Sequence, residues 1–229
     1  MKRERVWEID LLRVGAIFLM MVFHFVYDLN EYLGVEVDYS RGFWFWIGKA
    51  SALTFIFLSG ISSGFSRKGV CRRGLLVLGV GLGITAVTYF SLGDIYIRYG
   101  ILHFLGTSML LFPLLKKLDL WVLAVLSAVI AWLAGPISNC YIRTGLLLPL
   151  GIKYRGFQSA DYYPLFPYLA VFILGVIAFK VYYYKRQSLF NFRLENRIIT
   201  VLSKNSLLIY VIHQPIFLGA IMLYKYVSS

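Results

Sequence analysis

Charge is scarce in this chain: Asp, Glu, Lys and Arg make up 15% of its 229 residues, against about 25% in a soluble domain. Acids are the scarcer sign, 11 against 23 Lys and Arg, which leaves a net charge of +12. So little charge cannot cover a water-facing surface, and so much apolar sequence excludes disorder. Two cysteines are too few for a disulfide-stapled secreted domain. The composition is equally unlike a collagen fibre, and no low-complexity stretch, heptad array or internal repeat is present. A basic chain would suggest nucleic acid, but the cations sit between long apolar runs rather than on one face, so no nucleic-acid partner is expected.

What is present is hydrophobic sequence, 59% of the chain, gathered into long runs. A helix needs roughly 20 apolar residues to cross about 30 Å of hydrocarbon, and seven segments qualify, at about 9–30, 43–65, 74–92, 99–115, 120–138, 164–183 and 205–226. The expected fold is all-α, a polytopic membrane helix bundle of about seven transmembrane helices forming one domain over 1–229. The pairs 74–92/99–115 and 99–115/120–138 read as tight helical hairpins. Pro164 and Pro167 mark the start of the sixth span, Pro113 lies near the end of the fourth, and Pro215 predicts a kink in the seventh. Gly60-Ile-Ser-Ser-Gly64 and Gly79-Val-Gly-Leu-Gly83 carry the small-xxx-small spacing that lets helices approach closely.

Orientation follows from the cations. With the N-terminus cytoplasmic, fifteen of the 23 face inward and six (Arg41, Arg98, Arg143, Lys153, Arg155 and Lys225) face outward, while Arg13 and Lys49 fall within spans. The inner cations also attract anionic headgroups, which makes membrane lipid the first partner and a cell membrane the expected location. The first span is not read as a signal peptide, because it carries Arg13, His24 and Asp28 with no small-residue cleavage site after it. Cys71 falls in an inner loop and Cys140 in an outer one, so they are not expected to pair.

Ionisable residues inside spans mark function by default. On the first helix Asp10, Arg13, Ile17, Met20, His24, Asp28 and Glu31 share one stripe. Arg13 and His24 point the same way roughly 16 Å apart along the axis. Asp10 is placed to partner Arg13, and Asp28, at i+4, to hold His24 in one tautomer. His103 is near the outer end of the fourth span, and His213, followed by Gln214, shares a stripe with Ser206 and Tyr210 on the seventh. Lys49 enters the second helix from outside. Each residue also has a plain reading: a lone His as a helix–helix link, Lys49 snorkelling to Asp28 or Glu31, Arg13 and Asp10 as an interfacial ion pair. The shared stripe singles out His24. No metal is expected, since the three histidines lack ligand spacing.

Leu12-Arg-Val-Gly-Ala-Ile-Phe-Leu-Met-Met-Val-Phe-His24 resembles the Arg-x10-His pattern of acyltransferase-3-type membrane enzymes, as Ser206-Leu-Leu-Ile-Tyr-Val-Ile-His-Gln-Pro215 resembles one of their late helices. Trp7-Glu-Ile-Asp-Leu-Leu-Arg13, Phe57-Leu-Ser-Gly-Ile-Ser62, Tyr99-Gly-Ile-Leu-His103 and Asp161-Tyr-Tyr-Pro-Leu-Phe-Pro167 resemble more closely the bacterial branch related to the catalytic domain of heparan-α-glucosaminide N-acetyltransferase. That resemblance implies an enzyme that moves an acetyl group from cytosolic acetyl-CoA to an extracytoplasmic glycan, on an amino sugar or a sugar hydroxyl. It makes His24 the essential residue, either base or acyl carrier, with Asp28 and His103 beside it in the chemistry. Arg13, Arg67, Lys68, Arg72 and Arg73, with His213 and Gln214 along the path, would receive the donor. Lys49, Arg98, Asp161 and Tyr162 would receive the acceptor. A homodimer is left open. A proton-coupled transporter using the same histidines, or a non-catalytic membrane subunit, are the competing readings.

Overall fold

A computed structural model of the chain describes residues 5–66, 69–192, 194 and 196–228. The helices in order are α1 (Trp7–Leu33), α2 (Gly42–Gly64), α3 (Val70–Leu92), α4 (Ile101–Leu115), α5 (Leu120–Ser138), α6 (Leu165–Ala178), α7 (Arg197–Lys204) and α8 (Ser206–Ser228). Short 3-10 turns follow α3 and precede α6, and a π turn, Phe179–Tyr183, prolongs α6. Six stretches are long and apolar enough to cross a membrane: α1, α2, Val70–Ile95, α5, Leu165–Tyr183 and α8. The seventh expected span is α4, a shorter apolar helix of about 22 Å. Large apolar side chains face outward, among them Phe18 at 65%, Phe90 at 87%, Trp121 at 78% and Trp132 at 72% exposed. In water that surface would be an aggregation hazard, whereas in lipid it is the expected solvent-facing side.

The chain divides into two compact units, Met1–Phe55 with Arg186–Ser229, and Ile56–Lys185. In the first, α1 packs on α7 and α8. It ends where Gly34 takes φ 68 and its N–H returns to the Asn30 carbonyl, with Val35 reaching back to Leu29, a left-handed C-cap that glycine adopts without strain. Arg13 meets Ser203, His24 meets His213 and Phe25 meets Phe217. Partner numbers rise together, so α1 and α8 run parallel. The opposite trend, with Ser51 bonding the Ala16 carbonyl and Gly48 against Phe23, makes α2 antiparallel to α1.

In the second unit, α3 and α4 form the first of the two expected hairpins, with Gly74 against Gly106 and Gly81 against His103; the second, between α4 and α5, does not form, because α5 packs on α6 instead. The end of α2 lies on α6 with Gly60 at Phe172 to Val176 and Gly64 at Phe179, again a parallel pair. A methyl group on Gly60 would strike the Phe172 carbonyl oxygen, and one on Gly175 the Phe57 carbonyl oxygen, so these backbones touch. Membrane-crossing helices that run parallel are separated by an odd number of crossings. Three helices, α3, α4 and α5, separate α2 from α6, so the short α4 counts as a crossing.

The packing face of α3 differs from the sequence expectation. Gly79 and Gly83 have open space around them; the face of α3 that packs is Gly74 with Gly81, one heptad apart. α8 continues as one helix through Pro215. Cys71 and Cys140 are both free and exposed.

Candidate active site

His24 and His213 face one another across the α1–α8 pair, His24 Nδ1 lying 3.0 Å from His213 Nε2 and the rings 4.8 Å apart. The proton positions follow from a third group. His213 Nδ1 is 2.6 Å from the Tyr210 carbonyl oxygen, and a carbonyl only accepts, so His213 Nδ1 carries hydrogen. In neutral His213, Nε2 is then bare and accepts from His24 Nδ1–H. His24 is thereby left with a lone pair on Nε2. A neutral imidazole fixed in that tautomer can take a proton or attack a carbonyl carbon.

One turn beyond His24, Asp28 is fully buried, and its Oδ1 accepts from Gln214 Nε2 at 2.7 Å. The carboxylate expected to hold His24 is therefore engaged by Gln214, and the partner of His24 is His213. Asp28 Oδ2 and Gln214 Oε1 are both buried without a hydrogen-bond donor among the described residues. Two adjacent side chains thus present an acceptor atom each, and a buried acceptor left empty costs about 1–3 kcal/mol.

Arg13 and Asp10 adjoin as their spacing implies, 3.6 Å apart, but each has a closer partner. Arg13 Nη1 donates to Ser203 Oγ at 2.8 Å, and Ser203 in turn donates to Asp10 Oδ1 at 2.7 Å. Arg5 closes on the same carboxylate through Nε at 2.7 Å and Nη2 at 2.6 Å. The Asp10 hydrogen bond raises the Arg5 guanidinium above its ordinary value. Lys49 Nζ lies 5.7 Å from the Phe45 ring, while Glu31 accepts from Tyr39. Arg72 and Arg73 are exposed on the first turn of α3; Arg67 and Lys68 lie outside the described residues.

His103, Arg98, Asp161 and Tyr162 belong to the second unit. His103 Nδ1 accepts from the Gly100 N–H at 3.2 Å, so hydrogen sits on Nε2, which donates to Thr85 Oγ1 at 3.1 Å. Thr85 passes its own hydrogen to the Ile97 carbonyl at 2.7 Å. Both ring nitrogens of neutral His103 are thus engaged. Asp161 Oδ2 accepts from the Ile101 N–H at 2.8 Å. Between them, these side chains satisfy N–H groups that the start of α4 would otherwise leave unpaired, and a carboxylate there suits the helix dipole. Tyr162 donates to the Leu148 carbonyl at 2.8 Å, and burial pushes its phenol up to about 12. Arg98 lies between the Tyr96 ring, 4.0 Å from the guanidinium carbon, and Phe157 and Tyr154, 5.5 and 5.9 Å away.

Ser203 and Thr85 are the participants the sequence reading missed. Ser203 is ten residues before His213 as Arg13 is eleven before His24, and only this matched spacing could have pointed to it. Thr85 had no signal beyond being a polar residue in an apolar span. Among the described residues, no group of three His, Cys, Asp or Glu could hold a metal ion.

Apolar crossings, helix pairs in close backbone contact and an ordered histidine pair define a polytopic helical membrane protein with a polar site inside. The family model described as "Heparan-alpha-glucosaminide N-acetyltransferase, catalytic" matches residues 5–215, and the chain belongs to that family. It is a transmembrane acetyltransferase. No curated protein and no solved structure matches it.

Proposed function

We propose that the chain transfers an acetyl group from cytosolic acetyl-CoA to the amine or hydroxyl of an extracytoplasmic sugar, with His24 Nε2 as the reacting nitrogen. The observation that carries this reading is the tautomer relay from the Tyr210 carbonyl through His213 to His24. In a direct transfer, His24 Nε2 takes the proton as the acceptor nitrogen or oxygen bonds to the thioester carbon. The carbon–sulfur bond breaks, and the proton passes from His24 to the departing sulfur. Asp28 Oδ2 and Gln214 Oε1 call for hydrogen-bond donors, which an acceptor amine or hydroxyl supplies and a thioester does not. The mostly inward-facing cations support a cytoplasmic N-terminus, with Arg13, Arg67, Lys68, Arg72 and Arg73 toward the nucleotide. His103 is assigned to holding the start of α4 rather than to the chemistry.

The test uses the protein in vesicles with labelled acetyl-CoA on the cytoplasmic side and amino sugars or neutral sugars outside. Label is expected on the external sugar, and His24→Ala is expected to abolish it. No transfer to a broad acceptor panel, or full activity in His24→Ala, would refute the assignment; proton flux without transfer would point instead to a transporter. Label retained on the protein after acid-free quenching would favour acetyl-histidine. Arg13→Ala is expected to raise the KM for acetyl-CoA, and an unchanged KM would remove Arg13 from the donor site.

A further inference from the structure

We propose that the second unit carries a saccharide subsite selective for an anionic group, built around Arg98. An open pocket of about 560 Å³ is lined there by Tyr96, Arg98, Tyr99, Leu148 and Tyr154, among others, within the roughly 300–1,000 Å³ typical of ligand sites. Arg98 is held rigidly. Its Nη1 donates to the Asp94 carbonyl at 3.1 Å and to the Gln158 carbonyl at 2.6 Å, and its plane lies against Tyr96. Both bonds use one terminal nitrogen. The other edge of the guanidinium, Nε with Nη2, has no hydrogen-bond partner and no carboxylate within ion-pair distance among the described residues. That edge is the fork that matches the two oxygens of a carboxylate or phosphate.

The surroundings select for more than an anion. The phenolic hydroxyls of Tyr96 and Tyr154 likewise have no hydrogen-bond partner among the described residues, so ring faces and polar tips line the pocket together. Ring faces suit the C–H face of a sugar, and the hydroxyls suit its rim. The local charge is also unbalanced: Arg143, Lys153 and Arg155 lie on the 139–163 connection, whereas its acid, Asp161, is committed to the start of α4. The ligand class is a sugar bearing a carboxylate or a phosphate. Reading it as the acetyl acceptor rests on the function proposed above; the binding itself does not.

Binding and turnover are therefore measured apart. The purified full chain in detergent micelles is titrated calorimetrically with glucuronate, glucose 6-phosphate and glucose. At least one anionic sugar is expected to bind ten-fold or more tightly than glucose, with affinity falling as salt rises. The two anionic probes distinguish a carboxylate site from a phosphate site. Arg98→Gln is expected to abolish the preference, and Arg98→Lys, which keeps the charge but not the fork, to lose most of it. Tyr154→Leu, which breaks no side-chain hydrogen bond, is expected to weaken all three sugars and serves if the Arg98 variants do not fold. Equal binding of charged and neutral sugars, no binding at all, a preference that survives Arg98→Gln, or undiminished sugar binding in Tyr154→Leu would overturn the proposal. Anionic sugars that bind without inhibiting or accepting acetyl transfer would leave the subsite standing and refute its identity as the acceptor site.

Discussion

Replacing His213 with Ala tests the relay directly. In the wild type, the bond between His24 Nδ1–H and His213 Nε2 selects the His24 tautomer whose lone pair is on Nε2. Without His213, that bond is lost, and a buried donor left without a partner costs about 1–3 kcal/mol. At about 1.4 kcal/mol per factor of ten, the productive tautomer falls roughly 5- to 150-fold. The expected kcat for acetyl transfer drops by that amount, less than the roughly 100- to 10,000-fold expected when His24 itself is removed. His213→Gln supplies an amide oxygen that can accept the same hydrogen, so it is expected to recover most of the loss.

The assay is initial-rate transfer of labelled acetyl groups in vesicles, with melting temperatures measured on each variant. The KM for acetyl-CoA is expected to stay within about two-fold of wild type, because His213 acts on His24 rather than on the donor. A folded His213→Ala protein with wild-type kcat would refute the relay. So would a raised KM at unchanged kcat, which would return His213 to the donor path that the sequence suggested. A Gln variant no better than Ala would show that the hydrogen bond is not what matters.

Thr85→Val leaves His103 Nε2–H without an acceptor and is expected to cost about 1–3 kcal/mol of stability, seen as a lower Tm; an unchanged Tm would free His103 for another role. Gly175→Ala forces a methyl group into the Phe57 carbonyl and is expected to cost at least about 1–3 kcal/mol, whereas Gly79→Ala, with open space around it, is expected to be neutral or slightly stabilising. Equal Tm values for the two glycine variants would contradict the α2–α6 contact. Burial raises the Tyr162 phenol from 10.0 to about 12, so its contribution to stability is complete below pH 10 and is lost as pH rises toward 12. Alkaline unfolding followed at several pH values should show that loss, and Tyr162→Phe should blunt it; an identical profile in the variant would exclude Tyr162 as its source.

The spans were legible because predominantly apolar runs of about twenty residues have few alternatives, and α4 was legible despite its length because Gly100 and Leu115 bound a mostly apolar run. Helix α7 was not. Its eight residues place two apolar pairs, Ile198-Ile199 and Val201-Leu202, between polar ones over barely two turns, too short for periodicity to register. Its one local signal was Asn196, whose side chain accepts from the Ile198 and Ile199 N–H groups, a cap that precedes many helices and loops alike. The two glycine runs show the same limit. Both have the spacing for close approach, but spacing names a face without saying what lies opposite. Opposite Gly60 is a helix backbone; opposite Gly79 and Gly83 is open space.

The site follows the same logic. A stripe on α1 is a property of one helix, so Asp10, Arg13, His24 and Asp28 could be aligned from spacing alone. Assigning Asp28 to His24 assumed that the nearest polar neighbour along the stripe is the partner, and i+4 side chains stack without necessarily meeting. The actual partners come from α7 and α8, about 190 residues away. Yet the seven-span count already implied that the first and last spans run parallel, and parallel helices stay level over equal numbers of residues. Arg13 to His24 is eleven residues and Ser203 to His213 is ten, nearly equal intervals even though Asn205 separates α7 from α8, so a contact at one end brings the other pair toward reach. Charge on a span shows where a site begins, and a matching interval on a parallel span shows what completes it.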